Sequence, residues 1–250
     1  MKRIDWTIWL GAAVGIAAIL SGAWFEGLNL SFLWHPTAAL IVFGGTLGAV
    51  IIRRGAEGLF GAIRAVWNLR HKDEGEDSHK LEISRLAWLA RSASKTGVKA
   101  YEDYADATGD ALIAQGLILV AERADKERIE KVLTRTLDYE DEKGLQDSAT
   151  LESAGGFAPT FGILGAVIGL IGVLRVLDRP DVLGIGIATA FVATIYGIGT
   201  ANLFFFPLAA RLKSKHESRM KRREEIAQVI LSLNERETPR AIINQFNLRR

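Results

Sequence analysis

Four stretches of this chain carry no Asp, Glu, Lys or Arg: Trp6 to Phe25, Gly27 to Ile52, Ser153 to Leu174 and Val182 to Ala210. A helix rises 1.5 Å per residue, so roughly 20 residues cross a hydrocarbon core of about 30 Å. Each stretch is long enough, and the pattern predicts four transmembrane helices. The first has a rival reading as a signal peptide, because Lys2 and Arg3 precede it and Ser21-Gly22-Ala23 is a small-residue site. The apolar part of a signal peptide runs only about 7 to 15 residues, and this run is longer, so it reads as a helix. Between the second and third stretches, apolar residues recur at helical spacing in Leu81, Ile83, Leu86, Leu89 and Ala90. They do so again in Leu112, Ile113, Leu117 and Val120, and in Ile129, Val132, Leu133 and Leu137. This middle segment lacks proline and shows no strand-like alternation; His71 to Ser78 reads as a polar loop and Asp125 as a helix start. The fold class expected is all-α: a polytopic membrane protein with four transmembrane helices and a helical domain between spans 2 and 3. Its parts are spans 1 and 2 in 1–52, a cytoplasmic helical domain in 53–152, spans 3 and 4 in 153–210 and a basic helical tail in 211–250.

Charge sets the orientation. Basic residues abut the apolar stretches at Lys2-Arg3, at Arg53-Arg54 and at Arg211, Lys213 and Lys215, while the connection around Glu26 has none. The positive-inside rule therefore puts both termini and the middle segment in the cytoplasm. The net charge of +2 averages a middle segment with 16 basic and 20 acidic residues against a tail with 11 basic and 5 acidic, an ordinary juxtamembrane pattern that gives no support to nucleic-acid binding. The mean hydropathy of +0.15 is the same kind of average. With no cysteine, disulfides, thiolate nucleophiles and Cys-based metal sites are excluded. The middle domain either supports the spans or docks a partner.

A proton or cation carrier ordinarily keeps an intramembrane carboxylate to bind and release its ion. None of the four stretches has one, so if ions cross, a partner supplies the acid. His35, the one ionisable side chain in an uncharged stretch, stands beside Pro36 and reads as a solvated histidine at the outer interface. Small residues recur at close-packing intervals, in Gly11 and Gly15, Gly44 and Gly48, and Gly165 and Gly169 with Gly162 and Gly172 flanking. Such spacing lets helices approach, within the chain or between copies. Thr189, Tyr196 and Thr200 fall on one line of the fourth span, with Thr194 and Asn202 well round from it. One polar stripe can bond to its own helix; two imply that a neighbouring helix or water meets at least one. Pro159 and Pro207 fall near the cytoplasmic ends of spans 3 and 4, read as a first-turn proline and a local kink, or else as hinges.

Glu152-Ser153-Ala154-Gly155-Gly156-Phe157-Ala158-Pro159-Thr160-Phe161-Gly162, followed by Gly165-Ala166-Val167-Ile168-Gly169, resembles the third span of the flagellar motor stator family, MotA and PomA. Ala190-Phe191-Val192-Ala193-Thr194-Ile195-Tyr196-Gly197, with Ala201-Asn202-Leu203 and Pro207-Leu208-Ala209, resembles its fourth. The likeness covers nearly the whole chain. ExbB and TolQ of the wider superfamily have one span before the large cytoplasmic region, and two here favour the motor branch. The resemblance implies a transport and mechanical protein of the bacterial inner membrane rather than an enzyme. It implies five copies around a dimer of a single-span, peptidoglycan-binding MotB/PomB-type partner, whose membrane aspartate takes up the ion. Ion flow would turn the pentamer, and the cytoplasmic domain would push the rotor protein FliG. Pro159, Thr160, Phe191, Thr194 and Pro207 then belong to the ion path and partner coupling, and Gly162, Gly165 and Gly169 to helix packing. No cofactor is implied beyond the transported ion. Sodium-driven relatives carry threonine where this chain has Ala166, and a proton needs fewer oxygens than Na⁺, so H⁺ is favoured.

One position departs from the family. Its rotor-facing arginine precedes a glycine by three residues and a glutamate by eight; the frame here is Ser94, Gly97 and Glu102. Arg91, Lys95 and Glu102 remain as the rotor-facing charges, with Lys95 able to replace the missing one. The alternatives are an ExbB/TolQ-like energiser of an outer-membrane or gliding process, a sodium-driven PomA-type stator, and a non-conducting membrane scaffold.

Overall fold

A computed structural model describes residues 7–27, 30–69, 75–179 and 183–246, and every regular element among them is helical. In chain order these are α1 (Thr7–Phe25), a 3-10 turn (Leu30–Leu33), α2 (Pro36–Ala39), a π turn (Leu40–Gly44), α3 (Gly45–Leu69), α4 (Gly75–Thr96), α5 (Lys99–Ala107) and α6 (Ala111–Ala121). Then come α7 (Lys126–Leu174), α8 (Leu183–Thr200), a second π turn (Ala201–Phe205), α9 (Phe206–Asn234) and α10 (Pro239–Gln245). The chain divides into two compact units: Met1–Lys72 with Leu145–Ser214, and Asp73–Gly144 with Lys215–Arg250.

The first unit holds the apolar stretches of the long helices. Pro36–Leu69, Lys126–Leu174 and Leu183–Asn234 are each long and apolar enough to cross a membrane, and α1 adds a further apolar helix of 19 residues. Buried contacts are few and small: Ala38, Val42, Val192 and Ala193 form one cluster, Ala62, Leu151 and Ala209 another. Leu10, Ile163 and Phe191 are 60% or more exposed, an arrangement suited to hydrocarbon or to neighbouring helices rather than water. At Gly55, after Arg53-Arg54, the backbone leaves helical geometry (φ 72, ψ 167), a conformation open to glycine. The charged ends of α3 and α7 belong to this unit, whose limits fall at 72/73 and 144/145. A helix does not stop where its side chains turn polar.

The second unit has an ordinary core of Ile83, Leu86, Leu112, Ile113, Leu117, Ile129, Leu133, Ile230, Leu233 and Ile242. Leu81 is instead 52% exposed, because a residue two positions from Ile83 lies on the far side of the helix. The polar segment read as a loop from His71 is helical from Gly75, where Glu76 and Asp77 suit the positive N-terminal end of α4; 71–74 lie outside the described residues. Asp125 does start a helix, accepting the Arg128 N–H at 2.7 Å. That helix, α7, then runs 49 residues without interruption. Asp110 caps α6 by accepting from Leu112 N–H (3.0 Å) and Ile113 N–H (3.2 Å).

Candidate ion-path site

The third and fourth spans meet along glycine. A Cβ on Gly162 in α7 would lie 2.9 Å from the Ala193 carbonyl oxygen of α8, and one on Gly169 would lie 2.7 Å from that of Gly186. Gly165 faces the Ala193 methyl in the same way, at 2.7 Å. From the other side, a Cβ on Gly197 would lie 2.5 Å from the Ala158 carbonyl and 3.1 Å from the Pro159 Cα. The two backbones are therefore in direct contact from Pro159 to Val173. The α7 half of this seam follows from glycine spacing. Gly186 and Gly197 on α8 stand eleven residues apart, about three turns, and so share one face, an interval longer than the small-xxx-small spacing that marks the α7 half.

Pro159 lies deep inside α7, not in a first turn as its place at the start of an apolar stretch suggests. The helix begins at Lys126, so the proline leaves the carbonyl four residues back without its helical donor. That carbonyl belongs to Gly155, whose α-carbon abuts the Phe206 ring: a Cβ there would be 2.8 Å from it. Pro207 follows the π turn Ala201–Phe205, a widened turn that relieves the clash a proline ring makes with the preceding turn. Pro207 is exposed and lines, with Trp9, Asn202, Leu203 and Arg211, a cavity of about 600 Å³.

The threonines bond to their own helices. Thr160 donates to the Phe157 carbonyl (2.6 Å), Thr194 to Ala190 (3.1 Å) and Thr200 to Tyr196 (2.6 Å), while the Asn202 amide donates to Ile198 (2.9 Å). Thr160 and Phe191 point out of the single chain, whereas Thr194 is half-buried at the seam, its Cα 3.5 Å from a Cβ on Gly162. Pro159 and Thr194 thus flank one crossing point; Thr160 and Phe191 stand beside it, exposed; Pro207 sits elsewhere, at the cavity.

The second polar stripe is satisfied by another element. The Tyr196 hydroxyl donates to the Leu33 carbonyl, its ring stacks on Phe43 (5.8 Å between centroids), and Thr189 lies 3.2 Å from His35 Nε2. His35 is therefore half-buried against the fourth span, correcting its reading as a solvated interfacial side chain. The sequence hid this because Thr189 is 154 residues away.

In the second unit Arg91 and Lys95 stand near the end of α4 and Glu102 in the first turn of α5, all exposed. Arg91 lies over the Trp88 ring at 5.2 Å. No cluster of His, Asp and Glu able to hold a metal occurs among the described residues. A network that spacing could not show ties this unit together: Arg223 of α9 bonds both to Asp110 and to Glu140 of α7 (2.7 and 2.9 Å). Burial opposes charge on Asp110, but its bonds to Arg223 and to the two backbone N–H groups prevail and hold its carboxyl below the ordinary aspartate value.

Residues 105–225 match the MotA/TolQ/ExbB proton channel family. The chain is 30% identical to Motility protein A of Bacillus subtilis over 96% of its own length and 88% of that protein's. The flagellar MotAB stator complex from Bacillus subtilis matches its fold with a TM-score of 0.80 at 30% identity, covering 96% of this chain and 94% of that one. C. jejuni MotAB matches with a TM-score of 0.82 at 23% identity over 99% and 96%, a likeness of fold. A helical chain with an acid-free glycine seam, alike over nearly its whole length to motility proteins, belongs to the MotA/TolQ/ExbB proton channel family and within it to the MotA/PomA stators.

Proposed function

We propose that this chain is the ion-conducting subunit of a flagellar stator, working with a MotB-type partner. The observation that carries the reading is the α7–α8 seam: polar Thr194 and helix-breaking Pro159 stand at a glycine crossing, in spans with no carboxylate of their own. Such a surface can guide an ion and accept a charged partner helix, but it cannot load the ion. The single-span partner supplies that acid, and its peptidoglycan-binding domain anchors the assembly. Basic residues beside the apolar stretches support a four-span arrangement with both termini and the second unit in the cytoplasm and the spans in the inner membrane. Five copies surround a partner dimer, the open faces of Thr160 and Phe191 turn toward the partner or the path, and the second unit pushes on FliG. The transported ion is H⁺, in keeping with Ala166. The ExbB/TolQ-like reading is disfavoured by the match to motility proteins over nearly the full chain.

The test is swimming in a host stripped of its own stator genes and given this chain with its partner. Restored swimming that stops when a protonophore collapses the proton gradient, and persists without sodium, is the expected result. Thr194→Ala should slow it by roughly an order of magnitude, as loss of a polar group at an ion path does. Sodium dependence would reassign the ion. No swimming, with membrane assembly confirmed, would contradict the stator role.

A further inference from the structure

An open wedge separates α1 from the start of α9 in the first unit. The two meet at Gly15, where a Cβ would lie 2.7 Å from the Leu203 side chain. One turn back, at Gly11, a Cβ would find nothing within 4 Å, so the helices part there. The gap between them is the cavity of about 600 Å³ that Pro207 lines. Gly11, Leu203 and Leu208 give it apolar walls, and Trp9 and Arg211, both exposed, complete it. Arg211 is the one charged residue among its described lining residues, and no carboxylate is among them.

Val66 closes the wedge from α3, in the part of that helix beyond the break at Gly55. This part, 56–69, has three unlike faces. On the first, Ala62 packs with Leu151 and Ala209, and a Cβ on Gly61 would lie 2.7 Å from Asp147 Oδ1. On the second, Phe60, Ile63 and Trp67 recur at i, i+3 and i+7 and are exposed. Glu57, Arg64 and Asn68 are exposed about a quarter turn further round. A helix packed on one side, apolar on the next and charged on the third suits the plane of a membrane surface, where tryptophan sits at headgroup depth. Arg53-Arg54 precede it and Arg211 and Lys213 follow the fourth apolar stretch, which assigns this level to the cytoplasmic side in the proposed orientation.

We propose that the wedge binds an anionic phospholipid of the inner leaflet, with an acyl chain along Gly11, Leu203 and Leu208 and the phosphate on Arg211. A guanidinium grips a phosphate through two parallel hydrogen bonds and carries five donors, so it does this alongside its contacts within the chain. Basic pockets between spans on the cytoplasmic side take headgroups of this kind. The rival occupant is a second copy of the chain, but its four apolar stretches hold no carboxylate to meet Arg211. The lipid would then touch Pro207 at the start of α9. The site rests on the membrane orientation and not on the ion path.

Native mass spectrometry of the detergent-solubilised complex with its partner tests this, with phosphatidylglycerol or phosphatidylcholine of identical acyl chains added. The parental complex is expected to retain the anionic lipid about fivefold better. Arg211→Gln should bring it down to the level of the zwitterionic one, while Lys213→Gln, exposed and outside the wedge, should leave the preference intact. Gly11→Leu fills open space, so it should lower retention of both lipids with the melting temperature in lipid-free detergent unchanged. Equal retention of the two lipids by the parent overturns the site. An equal loss in Lys213→Gln does so as well, since it would show diffuse attraction to a basic surface. Gly11→Leu that keeps its lipid but changes the number of copies in the complex would give the wedge to a neighbouring copy and overturn the proposal too. Each of these outcomes leaves the stator reading standing, because swimming decides that separately.

Discussion

Gly162 and Gly197 set how closely α7 and α8 can approach. The atoms facing them are backbone carbonyls, at 2.9 and 2.5 Å from a would-be Cβ, and backbone cannot swing aside as a side chain can. Gly197→Val is expected to part the helices at a cost of on the order of 2–3 kcal/mol. The melting temperature of the detergent-solubilised complex should fall by several degrees, and an unchanged value would show that the seam is looser than described. This half of the site was legible where repetition exists, at Gly162, Gly165 and Gly169 on one helix face. It was illegible at Gly186 and Gly197, whose role depends on which carbonyl stands opposite. His35 shows the same limit: its neighbours in sequence suggest an interface, and its partner Thr189 is visible only once the chain is folded.

The elements are tied by charges far apart in sequence. Arg223 links α9 to the cap of α6 and to α7, with side chains of Arg223, Asp110 and Glu140 only 14%, 31% and 29% exposed. Removing the guanidinium by Arg223→Met leaves two partly buried carboxylates facing each other, and should destabilise the unit by about 3 kcal/mol. Thermal unfolding followed by circular dichroism reads that loss; an unchanged midpoint would show that solvent already screens the network. The same network fixes a pH dependence. The carboxyl of Asp110 titrates lower in the folded chain than in the unfolded one, so its contribution is complete above the ordinary aspartate value of about 4 and fades as pH falls through the folded value. The midpoint should therefore drop below about pH 4, and drop less in Arg223→Met. Helix existence and core faces were legible from periodicity, as at Leu112, Ile113 and Leu117. The continuity of α7 was not, because a change from charged to apolar side chains marks a change of surroundings and leaves the backbone hydrogen bonds untouched. Pro159 was misplaced for the same reason.

At the scale of the whole molecule, the informative feature is an omission in the sequence: four apolar stretches without a carboxylate, in a chain of the MotA/PomA family. The exposed apolar faces of the single chain, Leu10, Ile163 and Phe191 among them, are surfaces for lipid, for other copies and for the partner. Function is thereby distributed. In the proposed reading, this chain supplies the seam, the small helix contacts and the second unit, and the partner supplies the group that takes up the ion. The most direct measurement is proton flux into liposomes under an applied voltage, comparing this chain alone with the chain and its partner, any plug segment removed. The account predicts acidification with the partner present, its loss when the partner's membrane acid is neutralised, and none above empty liposomes for the chain alone. Equal flux from the chain alone, or none from the complete complex, would contradict it.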